Sequence, residues 1–188
     1  MDFIENRKYQ NEDFTKIRLP KAEYENCLFT TCDFSGGFLD NTHFLDSRFE
    51  DCNLSNANLK HTLFKETTFM RCKMLGLRFE DCNDFLMSFR FKECALNHSS
   101  FLGLNLKLTP FENCKLLQSD FSEANLKAAA FTGSDLQNAV FYNCNLEETD
   151  FRMALNYRIN PEINRMRKAK FSRAGIEGLL VKYDLTIE

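Results

Sequence analysis

A large apolar residue recurs at every fifth position over most of this 188-residue chain. The recurrence falls into two stretches, from Tyr9 to Phe79 and from Phe91 to Phe151. A period of five matches neither the α-helix, which repeats every 3.6 residues, nor the β-strand, which repeats every two. A short fixed period is typical of a solenoid, in which successive repeats stack to build one continuous core. The sequence therefore predicts a solenoid.

The position two residues before each large residue is usually small, most often Cys, Ser, Thr or Ala. In extended backbone, residues two apart point to the same side. Each five-residue unit is therefore expected to direct one small and one large side chain inward, while its other three residues face outward and form the corner.

Three units, Ala57-Asn58-Leu59, Ala124-Asn125-Leu126 and Ser134-Asp135-Leu136, resemble the repeat of the pentapeptide repeat family. The resemblance extends over about residues 7–155. It implies an all-β fold, a right-handed quadrilateral β-helix with four units in each coil and, for a chain of this length, about seven coils.

Leu and Phe alternate at the large positions from Leu96 to Phe151. With four faces, this alternation places Phe on two opposite faces and Leu on the other two, as close packing of a core favours. The six Phe expected to form these two core columns are Phe101, Phe121 and Phe141 on one face and Phe111, Phe131 and Phe151 on the opposite face.

All eight Cys occupy the small inward position of their unit. Such a placement is expected of small core residues rather than of zinc ligands or disulfide partners. Cys32, Cys52 and Cys72 are separated by one coil each and should lie one above another. The chain has no signal-peptide pattern and no apolar run that could span a membrane, so we expect a cytoplasmic protein with reduced thiols.

The repeat shifts by two residues between about Cys82 and Phe89. Without a shift, the first stretch would place Asp84 inside the core, where an unpaired carboxylate is costly. The sequence therefore predicts a two-residue insertion near Phe85, Leu86 and Met87. These three residues either repack locally around a tolerated insertion or form an apolar contact with a partner protein.

The five-residue repeat fails at Asn156, which divides the chain into a repeat region, residues 1–155, and a C-terminal cap, residues 156–188. The cap contains apolar residues at helical spacing, which predicts a short C-terminal α-helix. These residues are Ile176, Leu179, Leu180 and Tyr183. The helix either plugs the open core or joins two copies end to end, and its wide apolar stripe favours a homodimer. The tail from residue 184 to 188 could pair as a strand with the second copy.

The net charge of −3 does not favour direct binding of nucleic acid. The sequence contains no phosphate-binding Gly loop, no metal-ligand spacing and no nucleophile motif, so neither an enzyme nor a cofactor is expected.

The family resemblance implies a protein partner. Fluoroquinolone-resistance members are thought to imitate DNA, bind the type II topoisomerase DNA gyrase and protect it from quinolones or toxins. This chain lacks their large projecting loops. The alternative is a general interaction scaffold whose partner the sequence does not identify. A continuous acidic stripe would favour the DNA mimic.

Overall fold

The computed structural model describes residues 1–186 and consists of short parallel strands stacked into a solenoid. The smaller sheet has four strands in the order β1-β3-β5-β7, and the larger has six in the order β2-β4-β6-β8-β9-β10. The strands are β1 Asp2–Glu5, β2 Lys8–Gln10, β3 Ala22–Glu25, β4 Leu28–Thr30, β5 His43–Leu45, β6 Arg48–Glu50, β7 Leu63–Lys65, β8 Thr67–Met70, β9 Phe89–Lys92 and β10 Phe111–Glu112. The predicted β-helix is confirmed.

Residues twenty apart lie side by side in consecutive coils. Phe29 pairs with Phe49, and the isolated bridge between Asp150 and Lys170 shows the same spacing near the other end. Four five-residue units therefore complete one coil. The larger sheet has six strands, slightly fewer than the seven coils expected, and isolated bridges continue its stack to Lys170.

A left-handed backbone conformation turns the chain at most corners. The residue two after the large inward residue has positive φ, for example 56° at Asn56 and 63° at Leu108. Asn, Asp and Gly tolerate this conformation best, which accounts for their frequency at this position.

Most corners are closed by a backbone hydrogen bond, such as that from Ala129 N–H to the Leu126 carbonyl at 2.9 Å. At other corners, a side chain from the next coil forms hydrogen bonds to the backbone N–H and carbonyl groups instead. Ser134 Oγ accepts from Cys114 N–H at 3.0 Å and donates to the Phe111 carbonyl at 3.0 Å. Equivalent bridges are made by Ser47, Cys52, Ser99 and Asn164. The inward small position is therefore often polar because it completes the corner of the coil below.

Aromatic rings form a continuous column along the rod. Neighbouring ring centroids are 4.7 to 5.5 Å apart and the rings are nearly parallel. The column consists of Tyr9, Phe29, Phe49, Phe69, Phe91, Phe111, Phe131, Phe151 and Phe171. A second column on the opposite face stacks Phe79, Phe101, Phe121 and Phe141. All six Phe proposed for the core are buried in these columns.

The two-residue insertion is present. Leu63 pairs with Asn83 at a spacing of twenty, whereas Lys73 pairs with Ala95 at a spacing of 22. The chain leaves the coil after Asn83 and returns at Phe89, so Asp84 remains exposed.

Phe89 fills the space that the insertion leaves in the core. Its backbone pairs with Thr67, which places it at a small inward position. Its ring lies 5.7 Å from that of Phe64 and 5.4 Å from that of Phe79. This role was not predicted from the sequence, although the alternation Phe89-Arg90-Phe91 is its signal.

The C-terminal cap contains two 3-10 turns, Ile176–Leu179 and Val181–Tyr183, instead of the predicted α-helix. Glycine disfavours an α-helix, and Gly178 packs against Tyr157 so closely that a Cβ there would lie 2.3 Å from the Tyr157 carbonyl. The Gly178 carbonyl accepts from Ile159 N–H at 2.9 Å. Contact with the end of the core therefore overrides helical spacing. The tail predicted as a strand extends into residues 187–188, which lie outside the described residues.

Candidate interaction surfaces

The cysteine thiols lie in the interior of the rod. All eight Cys are free and buried, and five of them stack in one column: Cys32, Cys52, Cys72, Cys94 and Cys114. Burial disfavours the thiolate and raises the pKa of Cys27 and, to about 12, that of Cys144. Within residues 1–186, no group of three or more His, Cys, Asp or Glu side chains is arranged to hold a metal ion. Nor does the described part of the chain contain a helix of the length and apolarity needed to cross a membrane.

Outward charges of both signs are mixed along the rod, and some of them pair between coils. Arg71 Nε lies 2.7 Å from Asp51 Oδ1, and the hydrogen bond from this guanidinium lowers the pKa of Asp51. Lys127 Nζ lies 3.5 Å from Glu147 in the next coil. Such exposed pairs contribute little to stability. Acids also lie beside acids in consecutive coils, as Glu5 does beside Glu25 and Asp13 beside Asp33, so acidic and basic side chains are mixed on the faces of residues 1–186.

The insertion projects an apolar pair from the side of the rod. Phe85 and Leu86 are 67% and 60% exposed, while Met87 is half-buried against the core. A groove of about 480 Å³ lies beside Met87. Its lining includes the acidic Glu66 and the basic Arg90 and Lys107, together with Leu108. We call Phe85, Leu86 and this groove the insertion surface.

The predicted dimerisation residues divide between the core and the solvent. Leu179 packs against the core and Leu180 is half-buried, so this segment does cover the end of the solenoid. Ile176 and Tyr183 remain 52% and 45% exposed. The Tyr183 hydroxyl donates to Glu162 at 2.7 Å, which ties the second turn to the preceding loop.

Tyr157 completes the core at this end and was not identified from the sequence. It is buried, and its ring lies 5.7 Å from that of Phe151 and 5.6 Å from that of Phe171. It follows the point at which the five-residue pattern fails, so periodicity alone carries no signal for it.

The sequence matches the family model described as pentapeptide repeat region over residues 42–112 and 105–180. No curated protein matches the sequence significantly. Two trypsin-treated forms of QnrB1, a plasmid-mediated fluoroquinolone resistance protein, have similar structures. The first has a TM-score of 0.66 at 15% identity and covers 99% of this chain and 100% of its own. The second has a TM-score of 0.65 at 16% identity and covers 100% of this chain and 99% of its own.

HetL is also similar. It is a pentapeptide repeat protein involved in heterocyst differentiation regulation from the cyanobacterium Nostoc sp. strain PCC 7120. Its TM-score is 0.51 at 16% identity, over 90% of this chain and 85% of its own. At these identities the likeness shows a shared fold.

Proposed function

The chain belongs to the pentapeptide repeat family, and on this basis we propose that it is a non-enzymatic protein-binding module. The cysteine thiols are buried, whereas the insertion surface presents apolar side chains to solvent. Exposed apolar patches on an otherwise polar surface are typical of protein interaction sites. The exposed pair Phe85 and Leu86 is the observation that carries this proposal. We also propose that the protein is cytoplasmic, as expected from the sequence.

The partner we propose is a type II topoisomerase, which the module would protect from quinolones or toxins. The support is the likeness in fold to QnrB1, described as a fluoroquinolone resistance protein. Because acids and bases are mixed on the faces, we place the contact at the insertion surface rather than on a DNA-like stripe. Apolar contacts of this kind, flanked by Arg90 and Lys107, should be only moderately sensitive to salt.

The test is supercoiling by DNA gyrase with ciprofloxacin, with and without the protein, together with direct binding to gyrase and topoisomerase IV at low salt. We expect the protein to restore supercoiling, and the double variant Phe85→Ala, Leu86→Ala to bind roughly tenfold more weakly. Leu102→Ala is the matched control, because Leu102 is an exposed apolar residue on another face. If both variants bound gyrase equally well, the contact would not lie at the insertion surface.

A general interaction scaffold is the second candidate. The interleaved surface charges favour it, because they make the rod soluble without resembling DNA. The absence of binding to gyrase and topoisomerase IV at low salt would leave this function.

A further inference from the structure

The N-terminal end of the rod presents unpaired strand edges. β1 pairs with β3 and β2 with β4, and within residues 1–186 no strand lies along the outer edge of either β1 or β2. Edge strands of this kind tend to pair with another chain unless something covers them.

The core is also open at this end. Tyr9 and Phe14 occupy large inward positions but are only partly buried, whereas Phe29, directly above Tyr9, is fully buried. Ile17 lies at an inward position in the repeat and is nevertheless 73% exposed. The opposite end differs, because Tyr157 and Leu179 cover it. The N-terminal end thus combines free edges with exposed apolar surface.

Charges of opposite sign lie on the two adjoining edge strands. β1 carries Asp2 and Glu5, whereas Arg7 directly precedes β2 and Lys8 begins it. All four side chains are exposed, and none of them forms an ion pair with another residue in the described range 1–186. One strand is therefore acidic and its neighbour basic, with Asn6 at the corner between them.

We propose that the N-terminal end binds a second copy of this chain, with β1 of each copy pairing antiparallel with β2 of the other. Two identical ends meet across a two-fold axis perpendicular to the rod. Such an axis reverses the direction in which the partner's coil winds, so strands that lie on one another run antiparallel. An axis through the middle of the β1 face would oppose Asp2 and Glu5 to themselves. An axis through the corner at Asn6 places β1 over the partner's β2, so that each acidic strand meets a basic one.

This contact is independent of the proposed topoisomerase binding and of the C-terminal pairing expected from the sequence. The aromatic column advances in eight steps of about 5 Å, so the rod is about 40 Å long. Copies joined at their N-terminal ends bring their second coils close together. Copies joined at their C-terminal ends hold those coils roughly 70 Å apart. Energy transfer between dyes on the second coil therefore reports the N-terminal contact alone.

The test uses the full chain with dyes attached at Thr31→Cys, an exposed corner of the second coil. One variant, Arg7→Glu with Lys8→Glu, makes both edges acidic. The other, Asp2→Lys with Glu5→Lys, makes both edges basic. All four positions are exposed, so the fold should be unaffected and circular dichroism can verify this.

We expect concentration-dependent energy transfer for the otherwise unmodified chain and a loss of at least about tenfold in self-association for each charge variant alone. An equimolar mixture of the two variants should recover the transfer, because acidic edges then meet basic ones. Absence of transfer in the parent chain overturns the proposal. So does transfer that is unchanged in the separate variants, or that is not recovered in the mixture.

Discussion

At the residue scale, the five-residue pattern assigns each side chain to the core or to the surface. Phe121 shows the consequence for packing. Its ring stacks on those of Phe101 and Phe141 at 4.9 and 5.2 Å and meets those of Phe111 and Phe131 edge-on at 5.8 and 5.6 Å. The Phe121 ring is thus surrounded by four others, and its loss leaves a cavity that a stacked backbone cannot readily close.

Phe121→Ala should accordingly lower the free energy of unfolding by about 3–5 kcal/mol. The control Gln137→Ala, at an exposed outward position, should change it by less than about 0.5 kcal/mol. Urea denaturation of both variants measures the difference. Similar losses at the two positions would contradict the assignment of inward and outward residues.

The cysteines provide a second test at this scale. Because all eight are buried, thiol reagents should label the native protein slowly and label all eight positions only in denaturant. Thiol titration over time measures the rate. The exposed Thr31→Cys variant gives the reference rate for an accessible thiol. Several native cysteines reacting as fast as this reference would rule out the buried column.

At the element scale, the corners depend on side chains from the next coil. Ser134 replaces a missing backbone hydrogen bond, whereas Ser119 adds to a corner that the bond from Ser99 N–H to the Leu96 carbonyl already closes. Both hydroxyls are buried. The two serines are therefore matched in burial and differ in the backbone group that depends on them.

Ser134→Ala leaves the Cys114 N–H buried without a partner and should cost about 1–3 kcal/mol of unfolding free energy. Ser119→Ala leaves every backbone N–H at its corner bonded and should cost less than about 1 kcal/mol. Thermal and urea denaturation compare the two variants. A larger loss at Ser119 would show that the bridging hydroxyl does not hold the corner.

The insertion also acts at the scale of elements. It affects packing of the core through Phe89, which lies just outside it. Phe89→Ala should cost about 3–5 kcal/mol, since its ring fills the space vacated by the displaced chain. Phe85→Ala, at an exposed position of the insertion itself, should change stability by less than about 0.5 kcal/mol. Denaturation curves would contradict this account if the two variants were equally stable.

At the scale of the whole molecule, the two ends of the rod differ. The C-terminal cap packs the partly buried Leu179 against the core and leaves an exposed set of three apolar residues, which we call the strip: Ile176, Val181 and Tyr183. The C-terminal homodimer expected from the sequence therefore remains a proposal in which this strip, rather than all four predicted residues, forms the contact.

Ile176→Asp with Val181→Asp should abolish C-terminal pairing, because each copy would bring two carboxylates into an apolar contact. Energy transfer between dyes at Lys168→Cys, an exposed corner near this end, measures the pairing. Charge changes at Arg7 and Lys8 serve as the control and should leave this signal unchanged. If energy transfer persisted in the variant with both aspartates, the exposed residues of the cap would not form the contact, and the cap would only cover the core.

The sequence by itself determined the solenoid, the twenty-residue coil, the burial of the cysteines and the place of the insertion. It could do so because extended backbone with a fixed corner gives each position in the five-residue unit one direction, in or out. The direction of each side chain can be inferred from a few neighbouring residues. The alternation of Leu and Phe then indicated the number of faces in each coil.

Only the tertiary structure decided what depends on the neighbouring coil or on the ends. Phe89 fills a gap created by residues outside its own unit, and Ser134 completes a corner twenty residues earlier. The cap forms 3-10 turns because Gly178 meets Tyr157, a contact that helical spacing does not reveal. Asp2 and Arg7 contribute to an acidic edge and a basic edge only because β1 and β2 lie on adjoining faces of an open coil. Such features arise from stacking across space, which a local pattern does not encode.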